Sequence, residues 1–393
     1  MSPTARLAAS TLRDRATHLG RGVRALALQH GQSLDPQRVV FNSFTGHFSD
    51  SPRAIYEEVS ARWPVKADWV ASEDVDGFPG SVRCVEPYGA DFLRSIGSSR
   101  FVVSNLQMPR SFQKRRGAVY VQTWHGTPLK RIGFDNPRWE GDRAGLDAMA
   151  RDFAKWDFLV SQNAFSTQVF RRAFRYDGEV LEVGYPRNDI LNAPKRDDVR
   201  ADVRRQLGIE ETQTVVLYAP TWRDDLLDEH GSLRFASALN VNAVHDRLSE
   251  THVLLLRLHY KLGAHLGDTL PGVRNVSRYP DIRDLYLAAD VLVTDYSSAM
   301  FDFAVTGKPI IVFAYDLAAY RDDLRGLYLD LETEAPGPVC RTTEELIETL
   351  LDAERATAGT ASRYAQFRER FCSLDDGRAS QRVIDRVFVD AFG

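Results

Sequence analysis

Short β-rich runs that stay apolar from end to end recur along this chain, with helical stretches between them. A strand with one wet face alternates apolar and polar residues, so runs without alternation suit parallel strands covered on both faces. The first series is Val39–Phe44, Ala67–Ala71, Val82–Val85, Phe101–Ser104, Ala118–Thr123, Phe158–Ser161 and Val180–Val183. A second follows the charged stretch 195–205 and comprises Val215–Ala219, Val253–Leu258, Val273–Val276, Val291–Thr294 and Ile310–Phe313. Two βα series joined near residues 186–200 predict an α/β protein of two Rossmann-like halves facing a cleft. Ser51-Pro52 before Ala54–Trp63 reads as an N-cap followed by a first-turn proline. Thr343–Ala356 and Ala361–Phe392 read as closing helices.

The length of 393 residues agrees with that division, since one ordinary core stops growing well below it. A net charge of −4 disfavours a polycationic nucleic-acid binder. Cys84, Cys340 and Cys372 lie far apart with no CxxC, so neither a zinc ribbon nor a disulfide scaffold is expected. No apolar run approaches the ~20 residues of a spanning helix, and no signal-peptide block opens the chain, so a cytoplasmic location is expected. Residues 1–32 carry Arg6, Arg13, Arg15, Arg21 and Arg24 against Asp14 alone. Leu12, Ala16, Leu19, Val23 and Leu26 share one helical face there. Such a segment can lie on an anionic membrane or pack on its own domain.

Four segments place polar residues just beyond a strand, where open α/β sheets bind ligands. In Gln122-Thr123-Trp124-His125-Gly126-Thr127-Pro128, a histidine sits at a strand tip and Gly126 allows a tight turn. Histidine is suited to take a proton near neutral pH, although a lone one is often structural. After Val215–Ala219, the loop Pro220-Thr221-Trp222-Arg223-Asp224 offers Arg223 to an anion or to a neighbouring aspartate. Arg257 and His259 share one side of a strand end, with Lys261 beyond, as a small positive site for a phosphate. In Thr294-Asp295-Tyr296-Ser297-Ser298, the two serines open a helix running towards Gly307, either as an anion cradle or as simple caps. The phosphate loops, dinucleotide fingerprint and zinc-protease and nucleophile-elbow motifs are all absent. Asp74-Val75-Asp76 lies in a Gly/Pro-bearing polar stretch and reads as a solvated turn, so no metal is inferred.

Taken together and in this order, these segments resemble the CDP-glycerol glycerophosphotransferase family, the teichoic-acid polymerases and primases. The matching residues are Gln122–Lys130, Ala219–Arg223, the Arg257–His259 strand, Thr294–Ser298 with Phe301-Asp302-Phe303, and Arg325–Asp330. The resemblance implies a GT-B-like fold and transfer of glycerol phosphate from CDP-glycerol to a hydroxyl of a membrane-bound cell-wall or capsule polymer acceptor, releasing CMP without a cofactor. It implies His125 and His259 as the catalytic pair. It also implies Gly126, Thr127, Thr221, Trp222, Arg223, Arg257, Asp295, Ser297, Ser298 and Asp302 as substrate- or nucleotide-binding residues. Tyr260 departs from the proline expected after the second histidine. The division expected is a basic amphipathic helix over 1–36, an acceptor-side domain over 37–190 and a CDP-binding domain over 191–393, whose last helices can pack back on the first domain. The chain is then peripheral at the inner face of the membrane. CDP-ribitol, another CDP-polyol or a nucleotide sugar is the alternative donor.

Overall fold

The computed structural model describes residues 25–44, 46–72, 77–109, 112–221, 239–258, 271–320 and 326–392. Thirteen strands among them form two wholly parallel sheets. The first contains β1 (Asp35–Asn42), β2 (Lys66–Val70), β3 (Val82–Val85), β4 (Ser99–Ser104), β5 (Val119–Gln122), β6 (Phe158–Ser161) and β7 (Glu179–Glu182), in the order β3-β2-β1-β4-β5-β6-β7. The second contains β8 (Thr214–Tyr218), β9 (His252–Leu256), β10 (Val273–Asn275), β11 (Val291–Thr294), β12 (Ile310–Phe313) and β13 (Val339–Cys340), in the order β10-β9-β8-β11-β12-β13. This is the GT-B-like arrangement of paired doubly wound sheets.

Every run expected as a strand is one, with ends that move by a few residues. Burial on both faces is the reason. Val39 and Phe41 of β1 join one apolar cluster, while Val40 between them joins the cluster on the opposite face. In the second sheet, Leu292 and Val293 of β11 divide in the same way. The two-residue β13 is the strand that the sequence does not announce, being too short for any pattern.

One helix start differs from expectation, and the serines expected to open a second helix do so. Helix α1 spans Asp50–Arg62 and its N-cap is Ser49, so Pro52 sits at the third helical position instead of the first. Asp50 causes the earlier entry: it holds φ +61°, and its carboxylate accepts the N–H of Ser51 at 2.6 Å. Helix α2, which follows β11, covers only Ala299–Ala304. Ser298 is its N-cap, and Ser297 Oγ accepts the Ala299 N–H at 3.2 Å.

The chain end crosses between the halves. Helix α3 (Ala361–Cys372) places Phe367 and Phe371 in the core of the second sheet. Helix α4 (Ala379–Val387) places Val383, Ile384 and Val387 against the first, and Phe388 just beyond it joins them. A short antiparallel bridge between Lys130 and Leu327 adds a further tie. Of the expected N-terminal helix, residues 1–24 lie outside the described residues. Residues 25–30 are helical, with Ala25 and Leu28 against the first sheet's core and Leu26 exposed.

Candidate active site

In each sheet the strand order reverses direction between two neighbours, and a crevice opens at their carboxyl ends. For the first sheet these neighbours are β1 and β4, ending at Asn42 and Ser104; for the second they are β8 and β11, ending at Tyr218 and Thr294. The two crevices meet. A Cβ added to Gly126, which has φ +150°, would lie 2.4 Å from Ser298 Oγ and 2.7 Å from Ser298 Cβ. Only glycine permits the turn after β5 to press against the turn after β11 this closely. His125 and Ser297–Ser298, drawn from opposite sheets, are therefore neighbours across one cleft.

His125 is held from several sides. Gln122 Oε1 accepts the Trp124 N–H at 2.9 Å, fixing the turn in which Trp124 adopts φ +53°. The indole stacks on the imidazole with centroids 4.4 Å apart, and Phe44 meets the ring edge-on at 5.9 Å. His125 Nδ1 lies 2.8 Å from the carbonyl oxygen of Asn105. A carbonyl can only accept, so Nδ1 carries the proton and the lone pair of the neutral ring is on Nε2. Burial lowers the pKa of His125 below its ordinary value, with Arg187 and Lys130 acting in the same direction; the Asn105 carbonyl and Asp50 oppose them. The ring is neutral at pH 7, as a general base must be.

On the opposite side, Ser297 and Ser298 are half-buried at the mouth of the second crevice. Asp295 Oδ1 accepts the Thr221 N–H at 2.7 Å, which locks the ends of β8 and β11 together. Asp295 thereby shapes the crevice floor. Arg257 follows β9, and its Nη1 donates to the carbonyls of Val276 (2.7 Å), Ser277 (3.2 Å) and Tyr279. Much of its donor capacity is thus spent on the neighbouring loop. Its charge adds to burial in lowering the pKa of His47, against the opposite pull of Asp281. Trp222, Arg223 and His259, and with them Lys261, Asp74 and Asp76, lie outside the described residues. Among the described residues no cluster of His, Cys, Asp or Glu could hold a metal ion.

Two residues expected at the ligand are built into the frame behind it. The Thr127 hydroxyl is buried and donates to Gln162 Oε1 at 2.5 Å. Gln162 Nε2 donates in turn to Asp375 Oδ2 at 2.7 Å. Asp302 is also buried and accepts from Arg187 Nη2 at 2.6 Å and Asn188 Nδ2 at 3.1 Å. Thr127 faces the interior because Gln162, just after β6, supplies an acceptor there, and Asp302 because the loop after β7 supplies two donors. Arg187 reaches further and donates through Nη1 to Asp50 Oδ2 at 2.8 Å. One buried guanidinium thus joins α1, the loop after β7 and α2 directly beneath Gly126. Burial opposes its charge, but Asp302 and Asp50 hold it protonated. Burial also pushes the Asp375 carboxyl up to about 7, despite the bonds it accepts from Gln162, Tyr185 and Asn188. Arg187, Asp50 and Asp375 were not anticipated. The signal available was a dense polar string, Pro186-Arg187-Asn188-Asp189, directly after a strand.

The CDP-Glycerol:Poly(glycerophosphate) glycerophosphotransferase family model matches residues 24–389. The chain is 37% identical to the teichoic acid glycerol-phosphate transferase of Staphylococcus aureus strain NCTC 8325 / PS 47, covering 89% of this chain and 92% of that one. It is 36% identical to the teichoic acid poly(glycerol phosphate) polymerase of Bacillus subtilis strain 168, again over 89% of this chain, but spans only about half (48%) of that relative's length. The solved structure of the wall teichoic acid polymerase TagF superposes with a TM-score of 0.88 at 32% identity, covering 100% of this chain and 99% of that one. A variant of TagF soaked with CDPG superposes equally well, with a TM-score of 0.88 at 31% identity and the same coverage. On the match over nearly its whole length, this chain belongs to the CDP-glycerol glycerophosphotransferase family.

Proposed function

We propose that the chain transfers glycerol phosphate from CDP-glycerol to a hydroxyl of a membrane-bound polymer acceptor and releases CMP. The observation that carries this reading is the meeting of the two crevices at Gly126 and Ser298, which brings a neutral imidazole to the edge of a polar turn from the other sheet. Residues 37–190 serve the acceptor and residues 191–393 the nucleotide. Ser297 and Ser298 take the diphosphate through their hydroxyls and backbone N–H groups, and Thr221, Trp222, Arg223, Arg257 and Asp295 complete the nucleotide side. His259 acts as the partner of His125 on the departing side.

The reaction balances with these groups. The acceptor oxygen forms a bond to the phosphorus that bears glycerol, its proton passes to His125 Nε2, and the bond from that phosphorus to the bridging oxygen breaks. CMP leaves with that oxygen. Such transfers depend mainly on alignment and on neutralising charge at the transferred and departing phosphates. The membrane placement is proposed for residues 1–32, whose basic, amphipathic pattern ends at the exposed Leu26.

The test is a panel of CDP-glycerol, CDP-ribitol and nucleotide sugars, each offered with a lipid-linked acceptor in anionic vesicles. Release of CMP with formation of a phosphodiester from CDP-glycerol is expected. Deleting residues 1–24 should reduce co-sedimentation with the vesicles while leaving turnover of a water-soluble acceptor. Release of UDP or GDP with a glycoside product would overturn the assignment, and unchanged co-sedimentation would remove the membrane role.

A further inference from the structure

Phe44 stands out among the aromatic side chains. It follows β1 at the first sheet's crevice, holds φ +46°, and is 42% exposed. A bulky residue in the left-handed region carries strain of about 1 kcal/mol or more, and strain of this kind gathers at functional sites. The surrounding bonds impose it. Asn105 Oδ1 accepts the Phe44 N–H at 3.0 Å, and Asn105 Nδ2 donates to Ser43 Oγ at 3.3 Å. The same Asn105 accepts from His125 Nδ1 through its carbonyl, and its own N–H donates to the Asn42 carbonyl at 3.2 Å. One fully buried residue thus sets both the tautomer of the imidazole and the position of the exposed ring beside it.

We propose that Phe44 is an acceptor-positioning residue, whose ring takes the carbon face of the terminal glycerol unit and so presents that unit's hydroxyl to His125. This rests on the transfer reaction proposed above. The ring lies on the sheet that carries His125, edge-on to the imidazole. Its π face is negative and repels phosphate oxygens, whereas the C–H edges of a polyol pack well against it. The ring meets His125 along one edge and leaves 42% of its surface open to a ligand beside the imidazole.

The test compares Phe44→Gly and Phe44→Tyr with the unsubstituted full chain, using a synthetic lipid-linked acceptor that ends in glycerol phosphate. Glycine relieves the positive φ, so its Tm should stay at or above that of the parent. KM for the acceptor should rise roughly five- to ten-fold, the range for loss of one aromatic contact. KM for CDP-glycerol should move less than about two-fold, and Phe44→Tyr should restore the acceptor KM. An unchanged acceptor KM in Phe44→Gly overturns the proposal, as does a fall in Tm with all kinetic constants together. A rise confined to KM for CDP-glycerol also overturns it, by placing the nucleotide base on the ring. Failure of the underlying reaction shows separately, as absence of CMP release in the unsubstituted chain, and overturns both.

Discussion

At the residue scale, His125 is defined by what its two nitrogens do. The Asn105 carbonyl occupies Nδ1, the Trp124 indole stacks on the ring, and Phe44 meets it edge-on. Burial is the largest influence and lowers the pKa. The sign for activity follows. As the proposed base His125 must be neutral, so turnover should persist as pH falls until the imidazole takes up a proton, below the ordinary histidine value of about 6.5. A profile of kcat/KM against pH should place its acid limb under that value. An acid limb at or above pH 7 would show that another group, or a differently placed His125, controls the step.

At the element scale, the turn after β5 and the turn before α2 work as one unit because Gly126 carries no side chain where Ser298 presses against it. Gly126→Ala introduces a methyl 2.4 Å from Ser298 Oγ at a φ of +150°. Overpacking of this kind costs about 1–3 kcal/mol, and a displacement near 1 Å between reacting groups can lower the rate by about a hundred-fold. Activity should fall much further than Tm. Adding Ser298→Gly removes both atoms in the way and should recover part of the loss in Tm. If the double variant is no better than the single one, the backbone angle rather than the cross-cleft contact is responsible.

This contact also shows where reading a sequence stops. Runs such as Val291–Thr294 and Phe158–Ser161 announce their strands with the correct ends, because burial on both faces leaves only the last residue of each polar. His125, Ser297 and Ser298 could be picked out as chemistry-bearing residues at strand tips for the same topological reason. That Thr127 and Asp302 turn inward could not, since the partners that draw them, the acceptor Gln162 and the donors Arg187 and Asn188, come from loops distant in sequence. The entry of α1 at Ser49 was hidden likewise, because the positive φ of Asp50 is sustained by a bond to Arg187.

Across the whole molecule, two ion clusters tie the halves together. Beneath the cleft, Arg187 bridges Asp50 and Asp302. Farther along α1, Arg53 meets Asp281 at 3.3 Å, and Arg283 meets Asp281 at 3.1 Å and Glu57 at 3.2 Å. With α4 packed on the first sheet and α3 on the second, the cleft walls are fixed from below. Arg187→Ala leaves two carboxylates buried without their shared cation, a change that costs about 3–5 kcal/mol. Urea unfolding should show that loss. A change under about 1 kcal/mol would mean that the two walls are held by the helices alone.

The claim beneath all of this is that His125 removes the proton from the attacking hydroxyl while the nucleotide is gripped from the other side. Steady-state CMP release and calorimetric CMP binding, measured on the intact chain and on His125→Ala, address it directly. The account predicts a kcat lowered by about 10²–10⁴-fold, with CMP affinity changed only slightly. Loss of CMP affinity with kcat unchanged would contradict it.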